Sequence, residues 1–453
     1  MSGLVTDRLS GLPDMDRIPA VDELHAEVAA LAAEHPGVCR LRRIGTSRLG
    51  EPLRMLSVGH GPRNALIIGG PHPNEPIGLL TVPHLARLVA EDPALRDEAG
   101  YSWHFLPCLD PDATRLNEDW FGGPYTIRHY HRNFFRPAVP DQPEWTFPVL
   151  DERAYFDRTL PETQALARVI DELRPVFQYS LHNADFGGVF FILSHDVPGV
   201  ADDLAEVAHA RNVPLSLGPI DTLGWPAAAP AVYLMPPARE LAAATARPDG
   251  SARLGGSSAH YAERHGTTTL ITEVPLWRDP RAADPSASGR AYAEVLRENA
   301  AQLEADARAL STVYQRVSPQ LTVSSPMRPA LADTLEHSSS LTTAYGRMAG
   351  AVAGREATVA ESFAAHCVVH MVRLRCAGLL QRQLGVEQAA GNRPSILRAA
   401  AQEASGLFDR WCADAEQALC ADPFPLRDVV AVQIGAALAT VRRLGDAVGR
   451  DGR

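Results

Sequence analysis

The 453-residue chain contains no lysine: all 43 of its basic residues are arginine. That absence removes every mechanism that needs a lysine Schiff base or a lysine general base. Cysteine is scarce too, six in all at positions 39, 108, 367, 376, 412 and 420. These are too few and too scattered for a disulfide scaffold, and they read as free thiols. Positive charge is outweighed by 54 acidic residues, for a formal net charge of -11, which disfavours a polyanion and argues for no nucleic-acid partner. No apolar run reaches the roughly 20 residues that cross a bilayer, and Met1 to Arg17 lacks the hydrophobic centre of a signal sequence. No membrane association and a cytoplasmic residence are therefore expected.

What the chain does have is His72-Pro73-Asn74-Glu75, placed after the apolar run Ala65-Leu66-Ile67-Ile68 and two glycines and before a helix-patterned segment from Ile77 to Val89. Zinc takes imidazole nitrogen and carboxylate oxygen, and a catalytic site needs three protein ligands and one open position. A His-x-x-Glu spacing alone occurs by chance. Downstream, however, Val176 to Leu181 reads as a buried strand ending at His182, and Thr268 to Val274 as another ending at Glu273. Three apolar strands thus each end in a side chain suited to a metal site, and in open α/β sheets sites form beyond the carboxyl ends of strands. In isolation each histidine reads better as a core residue hydrogen-bonded at a strand end than as a ligand.

The motifs around these strands resemble the zinc carboxypeptidase family over residues 20 to about 300. Ile44-Gly45-Thr46-Ser47-Arg48-Leu49-Gly50-Glu51-Pro52-Leu53 is similar to an early family hairpin, and Gly69 to Pro76 to its His-x-x-Glu zinc motif. Asp110-Pro111-Asp112-Ala113 stands where the family has Asn-Pro-Asp-Gly. Arg115-Leu116-Asn117, Arg132-Asn133-Phe134 and Gly255-Gly256-Ser257 ahead of Glu273 follow in the family's order. The resemblance implies an α/β fold with a mixed sheet and one Zn2+ per chain held by His72, Glu75 and His182. It implies Glu273 as the general base that takes a proton from water, and Arg115 facing the carbonyl oxygen that gains charge. Arg132 would grip a substrate carboxylate, with Asn133 beside it in the motif and His131 where the family's asparagine shares that grip. The implied activity is a metallocarboxypeptidase that cleaves an amide bond next to a free carboxylate. Two alternatives stand beside it: a zinc-dependent deacylase of N-acyl amino acids, resembling desuccinylases and aspartoacylases, and a non-catalytic binding protein on the same fold. The substrate is accordingly a peptide or an N-acyl amino acid.

Some positions depart from the family pattern. The active-site tyrosine of the digestive enzymes would fall near Ser251, where there is none, leaving Tyr261 or Tyr233 as substitutes. The position that sets side-chain preference aligns near Ser258, neither apolar nor acidic. Asn117 to Pro148 is rich in aromatics, including Trp120, Phe121, Tyr130 and Trp145, which either pack on the sheet or wall a pocket.

The length allows more than one domain. The catalytic resemblance points to a domain at 1–315, a proline-interrupted linker at 316–329 and an all-α domain at 330–453. Helical spacing marks about 330–350, 354–384, 388–402, 403–421 and 426–449, with Gly391-Asn392-Arg393-Pro394 interrupting the pattern. His366 and His370 are one turn apart, but Ala364, Ala365, Val368 and Val369 around them favour packing over a second metal. The helical part reads as a cap, an oligomerisation bundle or a docking module for a substrate carrier.

Overall fold

The computed structural model describes residues 8–98, 100–151, 154–244 and 254–451. Helix α1 (Val21–Glu34) carries Asp22 and Glu23 in its first turn, where negative charge suits the helix dipole. An antiparallel hairpin follows, β1 (Cys39–Thr46) and β2 (Pro52–Val58). Next come β3 (Arg63–Ile68), α2 (Ile77–Glu91) and β4 (Tyr101–Leu106), and β4 returns parallel to β3 as a helical crossover requires. The short helix α3 (Ile127–Asn133) and α4 (Pro161–Leu173) lead to β5 (Phe177–Gly187) and β6 (Phe190–Leu193). Then come α5 (Val200–His209), β7 (Ala227–Ala229), β8 (Val232–Leu234) and β9 (Thr268–Arg278). The C-terminal part carries α6 (Tyr292–Val317), α7 (Met327–Ala351), α8 (Val359–Ala389), α9 (Ser395–Ala418) and the two-residue β10 (Asp422–Pro423) before α10 (Leu426–Asp451).

The strands form a ten-stranded mixed sheet in the order β1-β2-β4-β3-β5-β9-β6-β8-β7, with β10 pairing on β9. Its central strands β4, β3, β5 and β9 run parallel. They are buried on both faces, and their burial along the strand is nearly continuous rather than alternating. Parallel pairing brings the carboxyl ends of β3, β5 and β9 together, as the sequence pattern expects. The mixed-sheet α/β fold with a helical C-terminal region is the one the motifs imply.

The helices after residue 316 do not form a core of their own. One hydrophobic cluster runs from Leu56, Ile67 and Leu181 in the sheet part through Leu310, Leu331, Leu374 and Phe408 to Val430 and Ile434. Gln433 of α10 donates to the carbonyl of His182 (2.8 Å) and accepts from Thr81 (2.6 Å), and Tyr179 donates to its carbonyl (3.0 Å). The proline-rich stretch expected to link two domains therefore joins two helices of a shared core, because α10 folds back over the sheet. The expected helices 388–402 and 403–421 are a single helix, α9, while the break at Gly391 to Pro394 stands where the sequence places it.

Helix α8 begins with a capping box: Thr358 accepts from the Glu361 amide (3.1 Å) and Glu361 accepts from the Thr358 amide (2.9 Å). It is long and apolar enough to span a bilayer by length and composition, but 78% of its most apolar window is buried in the protein. It crosses α3 so closely that a Cβ on Gly378 would stand 2.1 Å from the carbonyl oxygen of His131, so only glycine fits there. The six cysteines are free.

Candidate metal centre

The site is built at the turn after β3. Gly70 adopts a left-handed φ of 55°, and a Cβ on it would meet the Cys108 sulfur at 3.0 Å, so a glycine lets the chain turn against its neighbour. The turn drops His72 and Glu75 over the end of β5. His72, Glu75 and His182 are all buried, and one potential ligand atom from each lies within 4.8 Å of the others; among the described residues this is the one such cluster of three or more.

The parallel register of β5 and β9 places Glu273 directly beside His182. Glu273 Oε1 is 3.5 Å from His182 Nδ1, and Glu75 Oε2 is 2.8 Å from the same nitrogen.

These residues fit a divalent cation. His72 Nδ1 is buried with no hydrogen-bond partner, an unfilled acceptor or donor that a metal would satisfy. His182 Nδ1 donates to Glu75 Oε2 as the site stands, and its Nε2 is 3.0 Å from Ser180 Oγ; with a cation bound, a proton held on Nε2 would leave Nδ1 as the ligand atom. Burial, reinforced by Arg136, pushes the His72 imidazole well below its usual range, so it stays neutral. Burial alone would raise the Glu75 carboxyl, but His72, Arg136 and His182 outweigh it and hold it ionised. Burial, with Glu75 and Asp221 adding negative charge, pushes the Glu273 carboxyl well above the normal range. Three carboxylates crowded in this way are the setting that a bound dication relieves.

Four of the residues expected to act on substrate stand elsewhere. Arg115 bonds Glu51 (2.7 Å) and Asp22 (2.7 Å) at the surface rather than facing the metal ligands. Arg132 is 56% exposed and lies near Asp409 (3.9 Å) and the Phe408 ring (5.7 Å) of α9. His131 is buried, with Nδ1 2.8 Å from the Ile127 carbonyl, and Asn133 donates to the carbonyl of His129 (3.0 Å). The physical reason is local. Thr126 Oγ accepts from the His129 amide and caps a helix over this stretch, so the motif that would present its side chains from an extended segment is wound, and its residues turn toward α8 and α9.

The guanidinium that does reach the centre is Arg136, which belongs to none of the motifs. It donates to Glu75 Oε1 (2.6 Å) and to Asn74 Oδ1 (3.3 Å), and lies 3.3 Å from Gln142. Its only signal in the sequence was its position four residues beyond Arg132 in the same aromatic stretch. Trp145 stacks on His72 with ring centroids 6.2 Å apart, so the aromatic segment does wall the site at this point, while Trp120, Phe121, Tyr130 and Phe147 are core.

The residues around the expected tyrosine, 245–253, lie outside the described residues. Of its two candidate substitutes, Tyr261 donates to Asp171 (2.8 Å) on α4, whereas Tyr233 packs on Phe190, the neighbour of Glu273 across β6 and β9. Asp110-Pro111-Asp112-Ala113 is structural: Asp112 accepts from Ser47 Oγ (2.7 Å) and the Leu49 amide (2.9 Å), tying the early hairpin to the site.

Ser258, the position associated with side-chain preference, is not as neutral as its sequence reads. Its amide (3.1 Å) and hydroxyl (2.9 Å) donate to buried Glu144, a residue no spacing had marked. Burial pushes the Glu144 carboxyl up to about 7, opposed by His182 and Ser258. Because the folded value lies above the unfolded one, the folded chain binds an extra proton, and this contribution to stability is full below about pH 4.5 and lost as pH rises through about 7. Glu144→Gln should therefore stabilise the metal-free protein at about pH 8, by on the order of 3 kcal/mol, and leave it unchanged at about pH 4. Thermal unfolding of both proteins at the two pH values checks this, and equal shifts at both would refute it.

The model of the zinc carboxypeptidase family matches residues 24–190, a span that holds His72, Glu75 and His182. The family is one of zinc-dependent hydrolases, and the resemblance stated from the motifs is borne out over this span. No curated protein matches the chain. Among solved structures it is similar to a metallo-carboxypeptidase from Burkholderia cenocepacia (16% identity, 57% of this chain and 60% of that one, TM-score 0.36). It is also similar to carboxypeptidase A from Helicoverpa armigera (14% identity, 78% and 80%, TM-score 0.38) and to a murein-tripeptide amidase from Escherichia coli O157 (19% identity, 52% and 88%, TM-score 0.28). The chain thus spans 60% of the length of the Burkholderia protein. Likeness of this degree carries no argument by itself.

Proposed function

We propose that this zinc carboxypeptidase-like chain is a hydrolase that cleaves an amide bond next to a free carboxylate, with one Zn2+ held by His72, Glu75 and His182. The observation that carries the reading is the register of β5 and β9, which sets a partly buried carboxyl, Glu273, beside a trio of candidate ligands. A bound zinc ion supplies the Lewis acidity that makes water a nucleophile near neutral pH. Glu273 accepts the proton of the attacking water and returns it to the leaving amine, work for which a buried carboxyl with a raised proton affinity is matched. Arg136 fixes the orientation of Glu75 through Oε1, which leaves Oε2 turned toward His182.

Metallocarboxypeptidase is the first form of this activity, on a peptide substrate. Deacylation of an N-acyl amino acid is the second. What favours it is the removal of Arg132 and Asn133 from the centre together with the aromatic wall at Trp145, which together suit a small substrate better than a peptide tail.

Zinc content by mass spectrometry on the purified protein and on His72→Ala, alongside hydrolysis of a mixed panel of peptides and N-acyl amino acids, tests both. About one zinc per chain, lost in the variant together with hydrolysis of one panel class, is the expected result and chooses between the two forms. A protein that binds no zinc would overturn the proposal.

A further inference from the structure

Arg375 lies on α8, far outside the span that matches the family, yet it reaches the carboxyl end of β5. Its Nη2 donates to Asp185 Oδ2 at 2.7 Å, three residues beyond His182. Tyr130 donates to the other oxygen of the same carboxylate at 2.9 Å, so Asp185 is fully used in holding the guanidinium. The Phe134 ring lies beneath it, 4.9 Å from the guanidinium carbon. This is a rigid mounting: a stacked, ion-paired guanidinium anchored by a carboxylate that is 1% exposed.

The mounting leaves part of the guanidinium unused. Arg375 Nε is buried and has no hydrogen-bond partner, although the side chain as a whole is 20% exposed. A buried donor without a partner is costly, and an oxygen from a ligand would remove the cost. The place adjoins the metal ligands, since Asp185 follows His182 by three residues on β5 and His182 pairs with Glu273 on β9. Meanwhile Arg132, the arginine that the motif assigns to a substrate carboxylate, faces α9.

We propose that Arg375, supplied by the C-terminal helical region, is the residue that binds the substrate carboxylate at the rim of the metal cleft. This rests on the hydrolase reading above and gives that region a part in substrate recognition. The ligand class is a monocarboxylate presented by an acylated amino acid or a chain terminus, since a carboxylate oxygen takes a charge-assisted hydrogen bond from the unpartnered Nε.

The test is calorimetric binding of benzoylglycine and of benzoylglycinamide to the zinc-loaded full chain and its variants. The wild-type protein should prefer the acid by about tenfold or more, as a charge-assisted hydrogen bond supports. Arg375→Gln should bring the two affinities level while zinc content stays at the wild-type value, Arg375→Lys should restore part of the preference, and Arg132→Ala should keep all of it. An unchanged preference in Arg375→Gln, or no preference in the wild type, would overturn the proposal. Zinc content and hydrolysis of the panel, measured on the same samples, report separately on the hydrolase reading. If Arg375→Gln is unstable because Asp185 is left unpaired, the double variant Asp185→Asn/Arg375→Gln removes both charges and answers the same question.

Discussion

Glu273→Gln should retain zinc and lose turnover by roughly 10²- to 10⁴-fold, the range of positioned general acid–base catalysis. Glutamine keeps the shape and sits in the same register opposite His182, so the three ligands are undisturbed. What it cannot do is take a proton from water and deliver it to an amine. Zinc content and kcat on the panel substrate, measured together, separate this from a folding defect. Because the carboxyl is raised by burial and by Glu75 and Asp221, the acidic limb of the wild-type pH–rate profile should also vanish in the variant. Full activity of Glu273→Gln with zinc bound would remove it from the mechanism.

Arg136→Ala is expected to weaken zinc binding by about 10- to 100-fold, as loss of a partner that orients a metal ligand commonly does. Its 2.6 Å bond to Glu75 Oε1 is the contact at stake. Without it Glu75 loses one of the charges that hold it ionised and is freer to rotate. Arg132→Ala should leave both zinc affinity and turnover unchanged, since that side chain is more than half exposed and borders α9. Titration against a competing chelator reads the first effect. A selective loss with Arg132→Ala and none with Arg136→Ala would restore the assignment that the motif suggests.

The two arginines show where a linear motif stops being informative. Arg132-Asn133-Phe134 is legible as a string, but the direction of each side chain depends on backbone conformation. In this chain a Thr126 cap winds the stretch into a helix and rotates those side chains away. Arg136, in the extended backbone that follows, points inward instead. Arg115 was equally legible and equally displaced, drawn to Glu51 and Asp22, residues distant in sequence that no local pattern pairs with it.

The metal ligands behaved differently because their placement follows from strand ends. The uncharged segments at 65–68, 176–181 and 268–272 read as buried strands, and a parallel sheet aligns their carboxyl ends. His72, Glu75, His182 and Glu273 therefore converge for reasons visible in one dimension.

The sequence by itself pointed to the mixed α/β sheet and to the trio of candidate metal ligands with Glu273 beside them, through the residues at its strand ends and the family's motifs. Only the tertiary structure decided that the last helices share the core of the sheet, that Arg136 rather than Arg115 reaches the centre, and that Arg375 and Glu144 belong to its surroundings. Such contacts join residues as far apart as Gln433 and Thr81, 352 positions. Such pairings arise from packing and charge in three dimensions, and no local propensity encodes them.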